Sequence, residues 1–174
     1  MFKLNFLPDS DLEDFSPAIK EYESIWQGDS IKIVSALEEI TKYVFKENFI
    51  NAVVSGSKES RSHPLSLYAK LQFEVKKMTL VHELGHRILL PPRRLQFADK
   101  KQYPTSLENH KVLFLILYDV YEVVYGKEFA DSAVKRDSEE LQGLYKEAWD
   151  FALSFKTKGD RQKKFQEMMQ IGKM

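Results

Sequence analysis

The sequence predicts an α+β domain in which a small mixed sheet, formed by the first third of the chain, is followed by at least four helices. Phe2, Leu4 and Phe6 alternate with polar residues, as in a strand with one buried face. A second apolar run, at residues 49–54, also has the length of a strand. Later in the chain apolar residues recur every three or four positions, so the C-terminal part is predicted to be helical.

The composition is that of one globular domain over residues 1–174, with 43% apolar and 30% charged residues. The formal net charge is zero, so no overall positive field would attract nucleic acid. There is no cysteine, which excludes disulfides and leaves His, Asp and Glu as possible metal ligands. The longest apolar run, at residues 112–118, is far shorter than a membrane span, and we expect a cytoplasmic protein without a membrane association.

Proline and glycine predict where the N-terminal helices begin and end. Pro17 suits the first turn of a helix, which is expected to run to about Trp26 and to end at Gly28. Asp29 or Ser30 would then cap a second helix, because apolar residues recur at helical spacing after them.

The stretch at residues 79–90, T-L-V-H-E-L-G-H-R-I-L-L, contains an H-E-x-x-H pentad. If it is helical, His82 and His86 lie roughly 40° apart on one face. Two imidazoles so placed can bind one metal ion, and zinc suits them best because it accepts neutral nitrogen ligands and leaves a position for water. Glu83 lies on the flank of that face, where it can accept a proton from the water without binding the metal.

The helix that carries the pentad is expected to be buried, since apolar residues surround the two histidines. It should begin near Leu71 and stop before Pro91, which cannot continue a helix. A basic loop at residues 91–105 follows, and it would either border a cleft or be a solvated connector.

Two further helices and a tail are expected after this loop. A capping box at residues 105–108 begins a helix that runs from about residue 106 to 125. The next helix is expected from about residue 138 to 155. Residues 156–174 are basic and polar, and they would form a loose tail or a terminal helix.

The pentad and its apolar flanks resemble the active-site helix of zincin metallopeptidases, and the gluzincin branch, with its minigluzincins, is the most similar. The resemblance is specific over about a dozen residues and extends loosely to about Tyr125. It implies a zincin-like fold, in which a small mixed sheet packs on the active-site helix and on a following helix that bears a ligand. It also implies a Zn²⁺ cofactor and peptidase activity.

A zinc site of this kind needs a third protein ligand. Gluzincins take a glutamate from the following helix, and Glu108 stands 22 positions after His86. His110 is the alternative ligand; it is roughly 200° around the helix from Glu108, so the two cannot easily face one ion. Val112 departs from the gluzincin pattern, which often has an acid at that place. Further candidates on the same helix are Asp119 and Glu122.

The predicted function is hydrolysis of peptide bonds in a peptide or protein substrate by a zinc metallopeptidase (a hydrolase). Glu83 would accept the proton of the attacking water and pass it to the leaving amine. Candidate donors to the developing oxyanion are Tyr103, Tyr118 and Tyr121. His63 precedes a proline and is expected to be a loop residue.

The alternative function is a regulatory or binding module that keeps the zincin fold and acts on a protein or on a partner associated with nucleic acid. A variant of this alternative is a latent peptidase whose own tail blocks the cleft. An intact Glu83 argues against a purely structural metal site, because the ligand set does not require it. The residues leave the oligomeric state open.

Overall fold

The computed structural model describes residues 3–10, 13–89, 106–141 and 143–171. Over these residues the chain forms six helices and one four-stranded mixed sheet, which confirms the predicted α+β class and the helical C-terminal part. None of the described helices is both apolar enough and long enough to cross a lipid bilayer. The described residues divide into two compact units: residues 3–10, 13–38 and 43–89 form the first, and residues 39–42, 106–141 and 143–171 form the second.

The sheet belongs to the first unit, and both predicted strands are confirmed. Its strands are β1 (Lys3–Pro8), β2 (Phe49–Ser55), β3 (Arg61–Ser62) and β4 (Leu65–Tyr68). The spatial order is β1-β2-β4-β3; β1 and β4 both run parallel to β2, and β3 runs antiparallel to β4. The fully buried side chains Ala52, Val54, Leu65 and Leu67 alternate with more exposed ones, so one face of the sheet forms core.

The first helix, α1 (Ser16–Thr41), corrects the sequence prediction. Two helices separated at Gly28 were expected, but the helix continues through this glycine, and neither Asp29 nor Ser30 caps a helix. A glycine inside a helix costs about 1 kcal/mol relative to alanine. Burial of a large apolar side chain contributes about 1.5–3 kcal/mol, and buried residues recur at helical spacing on both sides of the glycine. They include Tyr22, Ile25, Trp26, Ile33, Leu37 and Ile40.

The helix with the pentad, α2 (Phe73–Leu89), is confirmed within two residues of its predicted start. It contacts β3 and β4. Near its end, Arg87 donates from Nη1 to the carbonyl of Ser62 (2.6 Å) and from Nε to Oε1 of Glu47 (3.0 Å). Near its start, the buried ammonium of Lys76 lies 2.5 Å from Oε2 of Glu21 on α1. Polar contacts therefore anchor α2 at both ends to the rest of the first unit.

The second unit is helical. Its helices are α3 (Ser106–Tyr125), α4 (Lys127–Arg136), α5 (Gly143–Ser154) and α6 (Lys158–Ile171), with a π-helical turn at Asp137–Leu141. The start and end of α3 match the prediction. All of α6 lies in the segment at residues 156–174, for which a loose tail or a terminal helix is predicted. Its Arg161 forms a buried ion pair with Asp119 of α3, and its Phe165 is fully buried.

A buried carboxylate connects the π-helical turn to α5. Oδ2 of Asp137 accepts a hydrogen bond from Nε1 of Trp149 (3.1 Å), and Oδ1 accepts one from Nη1 of Arg136 (3.0 Å). Burial raises the pKa of Asp137 to about 6, although these two donors oppose the shift. The folded chain therefore binds this proton more tightly than the unfolded chain does.

Replacement of Gly28 by alanine should raise the free energy of unfolding by about 0.5–1 kcal/mol in urea denaturation. Gly28 is exposed within α1, and an added Cβ would meet nothing within 4 Å. Gly143→Ala is the matched control: it also has open space, but its φ is +52°, so the variant should be less stable by about 1 kcal/mol. A Gly28→Ala protein no more stable than the wild type would contradict the continuous helix.

Replacement of Asp137 by asparagine should remove a pH dependence of stability. The contribution of the Asp137 proton is fully present below pH 3.8 and is lost as the pH rises through about 6. At about 1.4 kcal/mol per pH unit, the asparagine variant should gain roughly 2–3 kcal/mol relative to the wild type between pH 4 and pH 7. Urea unfolding of both proteins at the two pH values measures this, and a constant difference would show that Asp137 keeps an ordinary pKa in the folded protein.

Candidate metal centre

Helix α2 places the two histidines of the pentad side by side. The ring centroids of His82 and His86 are 4.8 Å apart, and the ring planes are inclined at 69°. His82 is 8% exposed, and His86 is half-buried. The arrangement follows from the four-residue spacing, because residues i and i+4 are neighbours on a helix surface.

Burial of α2 surrounds the pentad with apolar side chains. On this helix the buried apolar residues are Met78, Leu80, Val81, Leu84, Ile88 and Leu89. Their burial, together with the contacts of α2 to β3 and β4, leaves the pentad on a helix that is largely shielded from solvent. Interactions between charges are stronger in such surroundings than in water.

Glu83 is 7% exposed, and burial raises the pKa of its carboxyl group to about 8. The pKa of Tyr22 is raised by its own burial and by the charges of Glu21 and Glu83, so Tyr22 lies within electrostatic reach of the pentad. The hydroxyl of Tyr22 donates to the backbone carbonyl of Tyr68 (3.0 Å). A buried carboxyl at this position favours a nearby cation, since a positive charge stabilises the ionised form.

His110 lies one turn into α3, and its tautomer follows from its hydrogen bond. Nδ1 is 2.7 Å from the backbone carbonyl oxygen of Ser106. A carbonyl oxygen only accepts, so Nδ1 must carry the hydrogen. Burial lowers the pKa of His110, which favours the neutral ring. In that ring Nε2 holds the lone pair, the state in which a histidine binds a metal ion.

The side chains of His82, His86 and His110 form a group whose ligand atoms all lie within 4.8 Å of one another. Such a cluster could hold a metal ion. Neutral imidazole nitrogens suit zinc, copper, iron or nickel better than magnesium or calcium, which prefer oxygen ligands.

The other candidate ligands have different surroundings. Among the described residues, Glu108 is not a member of this group; it is exposed in the first turn of α3. Asp119 is fully buried in its ion pair with Arg161, and Glu122 is exposed. His63 lies in the turn between β3 and β4, where Nδ1 is 3.2 Å from Oγ of Ser62.

Two of the three tyrosines that are expected to donate to the oxyanion lie among the described residues. Tyr118 donates its hydroxyl to Oδ1 of Asp131 (2.8 Å), and Tyr121 is 1% exposed in the core of the second unit. Tyr103 and the basic loop at residues 91–105 lie outside the described residues. Another tyrosine, Tyr145, contacts a candidate ligand: its ring centroid is 4.8 Å from that of His110. Tyr145 falls within the helix predicted from about residue 138 to 155, but the sequence assigns it no role.

Comparison of the chain with protein-family models, with curated proteins and with solved structures found no match.

Zinc should raise the melting temperature of the wild-type protein, and His110→Ala should abolish most of that increase. A ligand stabilises the native state by mass action, so loss of a ligand is expected to appear only when the metal is present. Glu108→Ala should keep the zinc-dependent increase, because Glu108 is outside the histidine group.

Glu108→Ala should still lose some stability, because it removes an acid from the first turn of α3. That loss should be equal with zinc and with a chelator. The reverse pattern, with the zinc-dependent loss at Glu108 and none at His110, would favour the glutamate ligand that the gluzincin resemblance implies.

Proposed function

We propose that this protein is a zinc-dependent metallopeptidase in which His82, His86 and His110 bind the ion and Glu83 is the general base. The observation that carries the proposal is the burial of Glu83 inside the pentad, beside the paired histidines. A buried carboxyl group is costly, and three imidazoles do not need it as a ligand. Proton transfer during hydrolysis is a role that requires a carboxylate at this place.

His82, His86 and His110 would hold the zinc ion, which would supply Lewis acidity toward water and toward a substrate carbonyl group. Glu83 accepts a proton from the water that attacks the substrate carbonyl, and it then protonates the leaving amine. The apolar residues of α2 exclude bulk water and strengthen these interactions. The Ser106 carbonyl keeps the hydrogen of His110 on Nδ1, so Nε2 remains available to the ion.

A peptide or protein as substrate follows from the zincin resemblance. The identity of the third ligand decides how far that resemblance extends. With His110 as the ligand instead of Glu108, the pentad on a buried helix still supports a zincin-type mechanism. The ligand set then lacks the glutamate that defines the gluzincin branch.

The second candidate function is a zincin-fold module that binds a partner without hydrolysing it. The basic segment at residues 156–174 motivates this alternative. The same segment motivates the latent form, in which it would block the cleft. In the structure most of this segment is α6, which contacts α3 and is paired to it through Arg161 and Asp119, and whose Phe165 is fully buried. Those contacts give α6 a structural role within the second unit, and the peptidase is therefore the better supported proposal.

Glu83→Gln should retain zinc and the folded state but lose hydrolysis by at least about 100-fold, because an amide cannot accept the proton. The measurement is cleavage of casein or of a fluorogenic peptide library by zinc-loaded protein, with zinc content determined in parallel. Glu59→Gln is the matched control: it makes the same chemical change at an exposed residue paired with Arg61, and activity should not change. An active Glu83→Gln variant would remove Glu83 from the mechanism, and a wild type that binds zinc without cleaving any peptide would favour the binding module.

A further inference from the structure

Four aromatic rings on two helices form a cluster that includes the candidate ligand His110. His110 and Phe114 are one turn apart on α3, and Tyr145 and Trp149 are one turn apart on α5. Each pair therefore lies on one helix face. The ring centroids are 4.8 Å apart for His110 and Tyr145 and 4.1 Å apart for Phe114 and Trp149. We call these four residues the four-ring cluster.

The end of the cluster away from His110 is rigidly held. Phe114 is fully buried and stacks on Trp149 with 26° between the ring planes. Trp149 is buried as well, and its Nε1 donates to Oδ2 of Asp137. Close packing with a satisfied hydrogen bond leaves these two rings little freedom to reorient. They form a fixed base for the end where the buried His110 and the half-buried Tyr145 lie.

The ring of His110 is restrained from three directions. The Ser106 carbonyl holds Nδ1, the Phe114 ring meets it edge-on at 5.6 Å, and the Tyr145 ring lies against it at a tilt of 53°. A ligand that is already held in one orientation loses less rotamer freedom when the metal binds, and this raises affinity. Groups that orient a metal-binding histidine typically change affinity by about 10–100-fold when they are removed.

We propose that Tyr145 is a positioning residue for the metal centre, whose ring keeps His110 in the orientation that presents Nε2. This inference rests on the proposed function, because it assumes His110 as the third ligand. The rings of Tyr145 and His110 lie against each other with centroids 4.8 Å apart, and phenylalanine keeps that ring, so Tyr145→Phe should retain the zinc affinity. Tyr145 is also half-buried, whereas Phe114 is in the core, so its removal should disturb the fold less.

The test is the dissociation constant for Zn²⁺, measured by chelator competition on the full-length wild type and on Tyr145→Phe, Tyr145→Ala and His110→Ala. Tyr145→Ala should bind zinc about 10–100-fold more weakly, and Tyr145→Phe should match the wild type. Phe151→Ala is the matched control, because it also removes a partly buried ring from α5, but one that packs on Phe155 and lies 5.6 Å from Nζ of Lys111. It should leave the zinc affinity unchanged.

Melting of each metal-free variant first establishes that it is folded. If Tyr145→Ala does not fold, Tyr145→Leu keeps an apolar side chain of similar size, and its zinc affinity should still be several-fold weaker. Wild-type affinity in every folded variant that lacks the ring would overturn the proposal. A loss in Tyr145→Phe equal to that in Tyr145→Ala would overturn it too, since the hydroxyl would then be responsible.

The proposed function and this inference fail in different ways. If His110→Ala binds zinc as tightly as the wild type does, His110 is not a ligand, and both the ligand set and the role of Tyr145 are wrong. If His110→Ala is weak while Tyr145→Ala is unchanged, the ligand set stands and only the inference is overturned.

Discussion

The constraint on which the site depends is the burial of ionisable side chains along one helix. Lys76, His82 and Glu83 of α2 are each less than 9% exposed, although charged and polar groups lose solvation when they leave water. The helix offsets this cost through its apolar residues and through the ion pairs of Lys76 and Arg87 near its two ends. These contacts fix α2 within the first unit, and the proposed proton transfer by Glu83 depends on such a fixed position.

The parts of the fold that depend on local sequence were predictable. The pentad, the ends of α3 and the strands β1 and β2 each follow from the spacing of neighbouring residues, and the structure agrees with them. The prediction that a helix ends at Gly28 was wrong because of tertiary packing. Glycine and aspartate are local signals for a helix end, but α1 carries buried apolar residues on both sides of Gly28, and their burial outweighs the local preference.

The sequence leaves the proposed third ligand open between Glu108 and His110, because it does not show which face of α3 is turned inward. Glu108 is exposed, whereas His110 is buried against Tyr145, a residue 35 positions later in the chain. A signal was present in the equal four-residue spacing of His110 with Phe114 and of Tyr145 with Trp149. That signal has meaning only once α3 and α5 are known to pack together, and helix propensity and caps do not specify such a pairing.

The proposed ligands on α2 and the proposed ligand on α3 should also respond differently to substitutions elsewhere in the protein. The separation of His82 and His86 is set by the backbone of one helix, so it persists for as long as α2 is folded. The orientation of His110 depends instead on the first turn of α3 and on aromatic contacts with α5. In the proposed metallopeptidase, zinc affinity would therefore depend on side-chain packing in the second unit, whereas the proposed base, Glu83, belongs to α2. Under that proposal, substitutions that loosen the four-ring cluster should weaken zinc binding without altering α2, so zinc retention and proton transfer can be tested separately.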